Sequence, residues 1–291
     1  MQTFDRLHFF IQCVYFTFYF VESFDDIGEA IVQRFVHLIH WTMEVPTNLL
    51  FNHHRNLMEE NGTLARNVKH TIDMFPRWAV IFDTDVTCKT KFKQLEFIQD
   101  STYKWYEDVS VQGKFRSDFC RLIQLYIHGG LYFDNDFEVV DTSFVTRSHN
   151  FLSVKSIDPH TLFQAILLAT PGHPIVKLSI DMFQSYIQGK LSINGWIGPV
   201  IMYKAVFTNR SLAYLMTERN LPLSYLLGRR RTDACHYGVF DRGKFIGYSR
   251  MMTWNACDDK KVSCSAPPTI APPPISSPLI FHAPPSVAVK V

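Results

Sequence analysis

At 291 residues the chain is long enough for one large α/β domain or two smaller ones. Its 29 Lys and Arg against 27 Asp and Glu leave it close to neutral. That balance argues against a protein organised around nucleic-acid phosphates, which need a concentrated basic face. An anionic ligand must therefore be met locally, by a metal ion or by a few placed cations.

From Leu7 to Val21 the chain reads LHFFIQCVYFTFYFV, with no formally charged residue and with Asp5 and Arg6 ahead of it. A bilayer span takes about 20 apolar residues, so this run fits a signal peptide or a short signal-anchor, with VES at 21–23 as a cleavage site. The competing reading is a buried, aromatic-rich segment. Asn61-Gly62-Thr63 and Asn209-Arg210-Ser211 are N-glycosylation acceptor patterns, and Cys235, Cys257 and Cys264 cluster where an oxidising lumen would allow a disulfide. The expectation is the secretory pathway, with attachment to a Golgi or ER membrane through the N-terminus and a luminal domain, or else secretion. None of the six cysteines forms a C-x-x-C pair, so a structural zinc site has little support.

Within the body of the chain, AIVQRFVHLIHW (30–41) ends in a strand-like run before a loop at Pro46, and RWAVIFDTDVTC (77–88) gives a strand and a polar turn. KTKFKQLEFIQDS mixes charged and apolar positions as an amphipathic helix does. FRSDFCRLIQLYIHGG (115–130) predicts a helix closed by Gly129, whose freedom at positive φ suits the position after a helix C-terminus. GGLYFDNDFEVV (129–140) predicts strand, acidic turn, strand. TLFQAILLAT and HPIVKLSIDMFQSYIQG read as helices separated by TPGH. From Ser265 the Pro- and Ser-rich tail predicts extended, disordered chain. The expected division is 1–29 as signal or signal-anchor and stem, 30–262 as an α/β domain with a mostly parallel central sheet flanked by helices, and 263–291 as tail.

The acidic turn carries the chemistry. Asp134 and Asp136 share a face in extended chain, and two carboxylates aimed at one point call for a compensating cation. Mg²⁺ and Mn²⁺ take oxygen ligands and commonly use one or two protein carboxylates, with phosphate supplying others. A strand's carboxyl end is also where open α/β sheets bind ligands. A bare D-x-D also occurs in solvated turns. Upstream, Asp118 and Arg121 lie three apart on one helix face, which taken alone is an ordinary surface ion pair.

Taken together, SDFCRLIQLYIHGGLYFDND resembles the sugar-binding region of D-x-D glycosyltransferases, the group that includes initiating α-1,6-mannosyltransferases, inositol-phosphoceramide mannosyltransferases and α-1,4-galactosyltransferases. Ser117, Asp118, Arg121, Gly129, Gly130, Tyr132, Asp134 and Asp136 fall in register. More faintly, FVHLIHWTMEVP is similar to that family's first strand. Gln164 stands where Asn is usual, Gly198-Pro199 matches a Gly-Pro pair, and His236 and Trp254 match a C-terminal His and Ser-Trp, with Thr253 in place of the serine.

The resemblance implies a GT-A-type nucleotide-diphospho-sugar transferase fold. It also implies a retaining, metal-dependent transfer of a hexose from a UDP- or GDP-sugar to a glycan or glycolipid hydroxyl. Asp136 would ligate Mn²⁺ (or Mg²⁺) directly, with Asp134 between metal, ribose and sugar. Asp118 and Arg121 would bond sugar hydroxyls, Tyr132 would line the ribose side, and Trp254 would close over the diphosphate. No catalytic base is identified.

Two alternatives stand beside this reading. One is a degenerate glycan-binding or interaction protein. The other is a haloacid-dehalogenase-type phosphatase using Asp83 and Asp85 of AVIFDTDVT, although Val86 replaces the expected glycine and the paired Asp258-Asp259 sits beside the tail.

Overall fold

The computed structural model describes residues 44–57, 62–145, 149–221 and 237–249. In chain order the elements are β1 (Asn48–Asn52), α1 (Thr63–Met74), β2 (Ala79–Asp83), α2 (Asp85–Phe92), α3 (Asp100–Glu107), α4 (Gly113–His128), β3 (Gly130–Phe133) and β4 (Phe137–Val139). There follow β5 (Phe151–Lys155), β6 (Leu162–Ala169), α5 (Pro174–Ile187), α6 (Ile197–Thr208), β7 (Tyr214–Asn220), β8 (Tyr237–Asp241) and β9 (Lys244–Ser249). The strands form one sheet in the order β2-β1-β3-β6-β5-β7-β8-β9-β4.

The sheet is mixed, which corrects the expectation of a mostly parallel one. β1 runs parallel to β2 and β3, and β5 parallel to β7, while β3–β6, β5–β6, β7–β8, β8–β9 and β4–β9 are antiparallel. A parallel return needs a crossover of a dozen residues or more, and the connection from β5 to β6 spans only residues 156–161. TLFQAILLAT is therefore a hairpin strand rather than a helix. It lies between β3 and β5, where both faces are covered, so its run is apolar without alternation, a pattern periodicity cannot tell from a buried helix. The β8–β9 hairpin turns on Arg242 and Gly243, both at positive φ (48° and 86°), as a two-residue loop between twisted strands requires.

Two apolar clusters sandwich the strands. On β1, Leu50 faces the cluster built with α2–α6, while Leu49 and Phe51 face the one built with α1. On β3, Tyr132 points toward α4 while Leu131 and Phe133 point away, so the residue two beyond Tyr132 leaves the sheet on the α4 side.

α4 forms as expected. Gly129 at φ 57° donates its N–H to Leu125 O and ends the helix. A Cβ there would also meet Pro171 Cδ at 2.5 Å, so the position excludes larger residues on two counts. A disulfide joins Cys88 of α2 to Cys120 of α4, with Cα atoms 5.9 Å apart.

KTKFKQLEFIQDS divides into the end of α2, a turn, and the start of α3. The strand-like run 30–41, Cys235, Cys257, Cys264 and the tail lie outside the described residues, as does the apolar run 7–21. The placement in a Golgi or ER membrane expected from that run is not upheld: among the described residues no helix is long and apolar enough to cross a membrane.

Candidate functional site

A cavity of about 480 Å³ opens where β1, β3, the β2–α2 turn and the first turns of α4 converge. Asn52, His53, His54, Asp85, Lys114, Ser117, Tyr132, Asp134 and Asp136 are among its lining residues. The four segments meet because β1 pairs with both β2 and β3, which brings their carboxyl ends side by side, and α4 packs across that face.

Beneath the cavity runs a chain of buried charges. Arg121 Nη2 donates to Asp118 Oδ1 at 2.9 Å and Arg121 Nη1 to Asp134 Oδ1 at 3.1 Å. The same Nη1 lies 3.0 Å from Gln164 O. Tyr132 Oη donates to Asp134 Oδ1 at 2.8 Å, and the guanidinium sits 4.9 Å from the Tyr132 ring centroid. Arg121 is only 6% exposed and Asp118 7%, so this pair differs from a surface pair in kind: removing Arg121 would strand the buried Asp118 carboxylate.

Burial works against the Arg121 charge, and Asp134, Tyr132, Asp118 and Asp136 outweigh it, leaving the guanidinium more basic than usual. Burial pushes Asp118 up to about 6, with Arg121 opposing and Asp134 adding to the rise. The Tyr132 phenol is held well above its ordinary value, first by burial and then by Asp134.

The turn itself is fastened from several sides. Asn135 Nδ2 donates to Asn52 O at 2.7 Å, and Asn67 Nδ2 donates to Asn135 O at 2.8 Å and to Phe137 O at 2.7 Å. Ser117 Oγ donates to Asn52 Oδ1 at 2.6 Å, tying α4 to the end of β1. Asp136 Oδ2 accepts from Ser249 Oγ at 2.6 Å, because β4 pairs with β9 and brings its last residue back to the turn. Both aspartates therefore border one cavity while leaning on different neighbours, Asp134 on Arg121 and Asp136 on Ser249.

As a donor set for a divalent ion, two carboxylates suit a metal that draws its remaining ligands from phosphate and water. Among the described residues there is no group of three or more His, Cys, Asp or Glu that could hold a metal ion.

Sequence reasoning anticipated Asp118, Arg121, Tyr132, Asp134 and Asp136 as neighbours, and the fold brings them together; Trp254 and His236 lie outside the described residues. The contribution of β1 was not legible, because the strand-like run in the sequence lies upstream of Pro46. Sequence reasoning also missed the support behind Asp118. The backbone of Gly198 at the start of α6 abuts the Asp118 carboxylate and favours its charged form, and Gln164 Nε2 donates to Gly198 O at 3.1 Å. A Cβ on Gly198 would stand 2.5 Å from Asp118 Oδ2 and 2.6 Å from Gln164 Oε1. The signal was present in the Gly-Pro pair and in Gln164, but nothing in the spacing linked either to Asp118.

The second acidic pair lies differently. Asp83 is buried and accepts from Lys91 Nζ at 2.6 Å and Gln124 Nε2 at 2.8 Å. Asp85 lines the cavity and faces Arg116 Nε at 3.6 Å. Asp83 is thus committed to joining β2 to α2 and α4, a poor arrangement for a nucleophile.

Residues 52–160, the stretch that builds nearly all of this site, match a sequence family described as "Glycosyltransferase sugar-binding region containing DXD motif". The match supports a glycosyltransferase family with a DXD-containing sugar-binding region, and does not reach the mannosyltransferase or galactosyltransferase subdivisions named above. No curated protein matches the chain. Among solved structures, one described as "PaToxG Glycosyltransferase" aligns with a TM-score of 0.41 and 18% identity over 62% of this chain and 78% of that one, too distant to carry an argument.

Proposed function

We propose that the cavity under the 134–136 turn is a sugar site, taking the hexose and diphosphate of a nucleotide sugar. The observation that carries this reading is the Asp118–Arg121–Asp134 chain, which reaches the cavity wall at Asp134 with Asp118 and Arg121 buried behind it, inside the stretch similar to a DXD sugar-binding region. Carboxylates held rigid by a shared guanidinium offer fixed acceptors to sugar hydroxyls. A site built to hydrogen-bond hydroxyls rejects ligands lacking them, because its own buried groups would be left unpaired. Lys114 and the paired His53 and His54 at the rim bring donors toward the diphosphate.

Recognition of the sugar is the part these observations support best, and it is compatible with a chain that binds a glycan or sugar nucleotide without turning it over. That second reading stands beside transfer because, among the described residues, no group of three or more His, Cys, Asp or Glu gathers to hold a metal ion by protein ligands alone.

Transfer of the hexose to a glycan or glycolipid hydroxyl, with retention, is the finer proposal. Asp136 and Asp134 would hold Mn²⁺ or Mg²⁺, whose charge stabilises the departing nucleoside diphosphate. Arg121 would fix Asp134, Asp118 would orient the sugar, and Tyr132 would shield the floor from water.

Calorimetric titration of the full chain with UDP-hexoses and GDP-mannose tests the proposal. Wild type should bind one of them, and Asp118→Asn should weaken it by about tenfold, the loss of one charge-assisted bond. Equal binding by both proteins, or none by either, removes the assignment.

A further inference from the structure

The connection that leads into α6 carries a reactive pair. Asn194 and Gly195 lie between α5 and α6, and both are exposed. The chain is anchored on either side, Ile193 packing against the cluster built with α2–α6 and Ile197 buried within it. Between those anchors Gly195 stands at φ 99°, and beyond its chain neighbours no heavy atom lies within 4 Å of where a Cβ would be. Among the described residues, neither the Asn194 side-chain amide nor the Gly195 N–H takes part in a hydrogen bond.

Other asparagines of the fold are placed differently. Asn48 Nδ2 donates to His128 O, Asn52 Nδ2 to Ser117 O and Asn135 Nδ2 to Asn52 O. Each is followed by a residue with a side chain, Leu49, His53 or Asp136. A bonded amide is held away from its own main chain, and a side chain on the next residue crowds the approach of that residue's nitrogen. At Asn194 both restraints are missing. Glycine also leaves the backbone free to rotate, so the Gly195 nitrogen reaches Asn194 Cγ without displacing a neighbour. The attack is intramolecular, and proximity supplies what a bimolecular attack on an amide lacks.

We propose that Asn194-Gly195 is a self-modifying site, where the chain converts its own amide to a carboxylate at the entrance to α6. Solvent base removes the Gly195 N–H proton and the nitrogen attacks Asn194 Cγ. The new N–Cγ bond closes a succinimide ring as the Cγ–Nδ2 bond breaks, and Nδ2 leaves as ammonia with a proton from water. Water then opens the ring. Cleavage of the N–Cγ bond gives aspartate on the original main chain. Cleavage between the Gly195 nitrogen and the Asn194 carbonyl carbon gives isoaspartate, whose main chain runs through Cγ and is lengthened by a carbon. Water is consumed and ammonia released, with no change of oxidation state.

The two products act differently on the fold. Aspartate ahead of a helix N-terminus sits where negative charge is favourable. Isoaspartate shifts the chain just before Gly198, whose backbone abuts the Asp118 carboxylate and whose carbonyl accepts from Gln164. The effect of that shift on ligand binding rests on the sugar-site reading given above; the conversion itself does not.

The test incubates the full chain at neutral and at mildly alkaline pH and reads each asparagine by peptide mass spectrometry, with isoaspartyl methyltransferase labelling to separate the two acids. The same chain unfolded in guanidinium chloride gives the intrinsic rate. Asn194 should convert ahead of Asn48, Asn52 and Asn135, faster at the higher pH, and at a rate close to that of the unfolded chain. Nucleotide-sugar affinity should fall in step with isoaspartate in aged wild type, and stay unchanged in aged Asn194→Gln and in fresh Asn194→Asp.

Conversion slower in the folded chain by about tenfold or more would overturn the proposal, because the loop would then have to open before it reacts. Equal conversion at the hydrogen-bonded asparagines would overturn it as well. Conversion at Asn194 with unaltered nucleotide-sugar affinity would keep the modification site and refute its link to the cavity. A fresh chain that binds no nucleotide sugar yet converts at Asn194 would remove the sugar-site reading alone, so the two fail separately.

Discussion

Asp118 is a carboxylate buried beside a guanidinium, and its neighbours determine whether it is charged. Burial raises it to about 6 despite Arg121, above the ordinary carboxylate value. A group whose folded-state value is raised contributes stability that is fully present below its unfolded value and is lost as pH rises through the folded one. Stability attributable to Asp118 should therefore fall between about pH 4 and pH 6. Urea unfolding of wild type and Asp118→Asn across that window checks the sign. Wild type should lose ground against the variant as pH rises, and a constant difference would refute the linkage.

Gly198 makes a sharper case at the same scale. Its backbone lies against Asp118, and its missing Cβ leaves room for that carboxylate and for Gln164. Gly198→Ala should cost about 1–3 kcal/mol, as overpacking does, and should weaken nucleotide-sugar binding more than Pro199→Ala does. Equal effects would mean that the glycine shapes only the helix start. Asp118 with Arg121 and Tyr132 with Asp134 were legible as local pairs, one helix turn and two strand positions apart, and the resemblance to the D-x-D pattern joined the two pairs. Gly198 was not, because it approaches through space from a helix 80 residues away.

At the scale of elements, the disulfide couples two helices that border the cavity. Cys88 follows the Thr84 cap of α2 and Cys120 sits between Asp118 and Arg121 on α4. Closing a loop of 32 residues should stabilise the fold by about 3–4 kcal/mol in the chain-entropy account. Reduction, or Cys88→Ala with Cys120→Ala, should lower the Tm correspondingly; an unchanged Tm would show that the helices are held by packing alone. The pairing was not legible, because neither cysteine has a distinctive spacing and the two are adjacent only once α2 and α4 pack.

α4 and β3 were legible to within two residues, since an amphipathic run ending in Gly-Gly admits few conformations. β6 was not, because LFQAILLA is apolar at almost every position and chain length alone had to decide between helix and strand. β1 was not legible for a related reason: NLLFN is only five residues long and closely follows Pro46, a residue type that commonly marks loops.

For the whole molecule, the sheet explains why one sequence stretch can hold a site built from distant parts. Parallel pairing of β1 with β2 and β3 aligns three carboxyl ends. The antiparallel return through β8 and β9 then brings Ser249 against Asp136 from the far end of the chain. The α/β class was readable from alternating strand and helix signals; the mixed sheet was not, because it depends on connection lengths and on hairpins that a local pattern does not reveal.

Disconnecting the turn from its distant support should be measurable. Ser249→Ala removes one hydrogen bond to Asp136 and should cost about 1 kcal/mol or less in stability, with a larger fractional loss in nucleotide-sugar affinity if the orientation of Asp136 matters to the ligand. Matching losses would make Ser249 a purely structural contact.

The most direct test of the sugar-site claim is the Tm of the full chain against a panel of UDP- and GDP-hexoses, each with Mn²⁺ and with EDTA, followed by assay of the same mixtures for released hexose. The expected result is that one nucleotide sugar raises the Tm, that Asp136→Asn loses the Mn²⁺-dependent part of the rise, and that hexose appears only when the metal is present. A rise without release would assign the cavity to recognition alone, and a panel in which no nucleotide sugar shifts the Tm would contradict the claim.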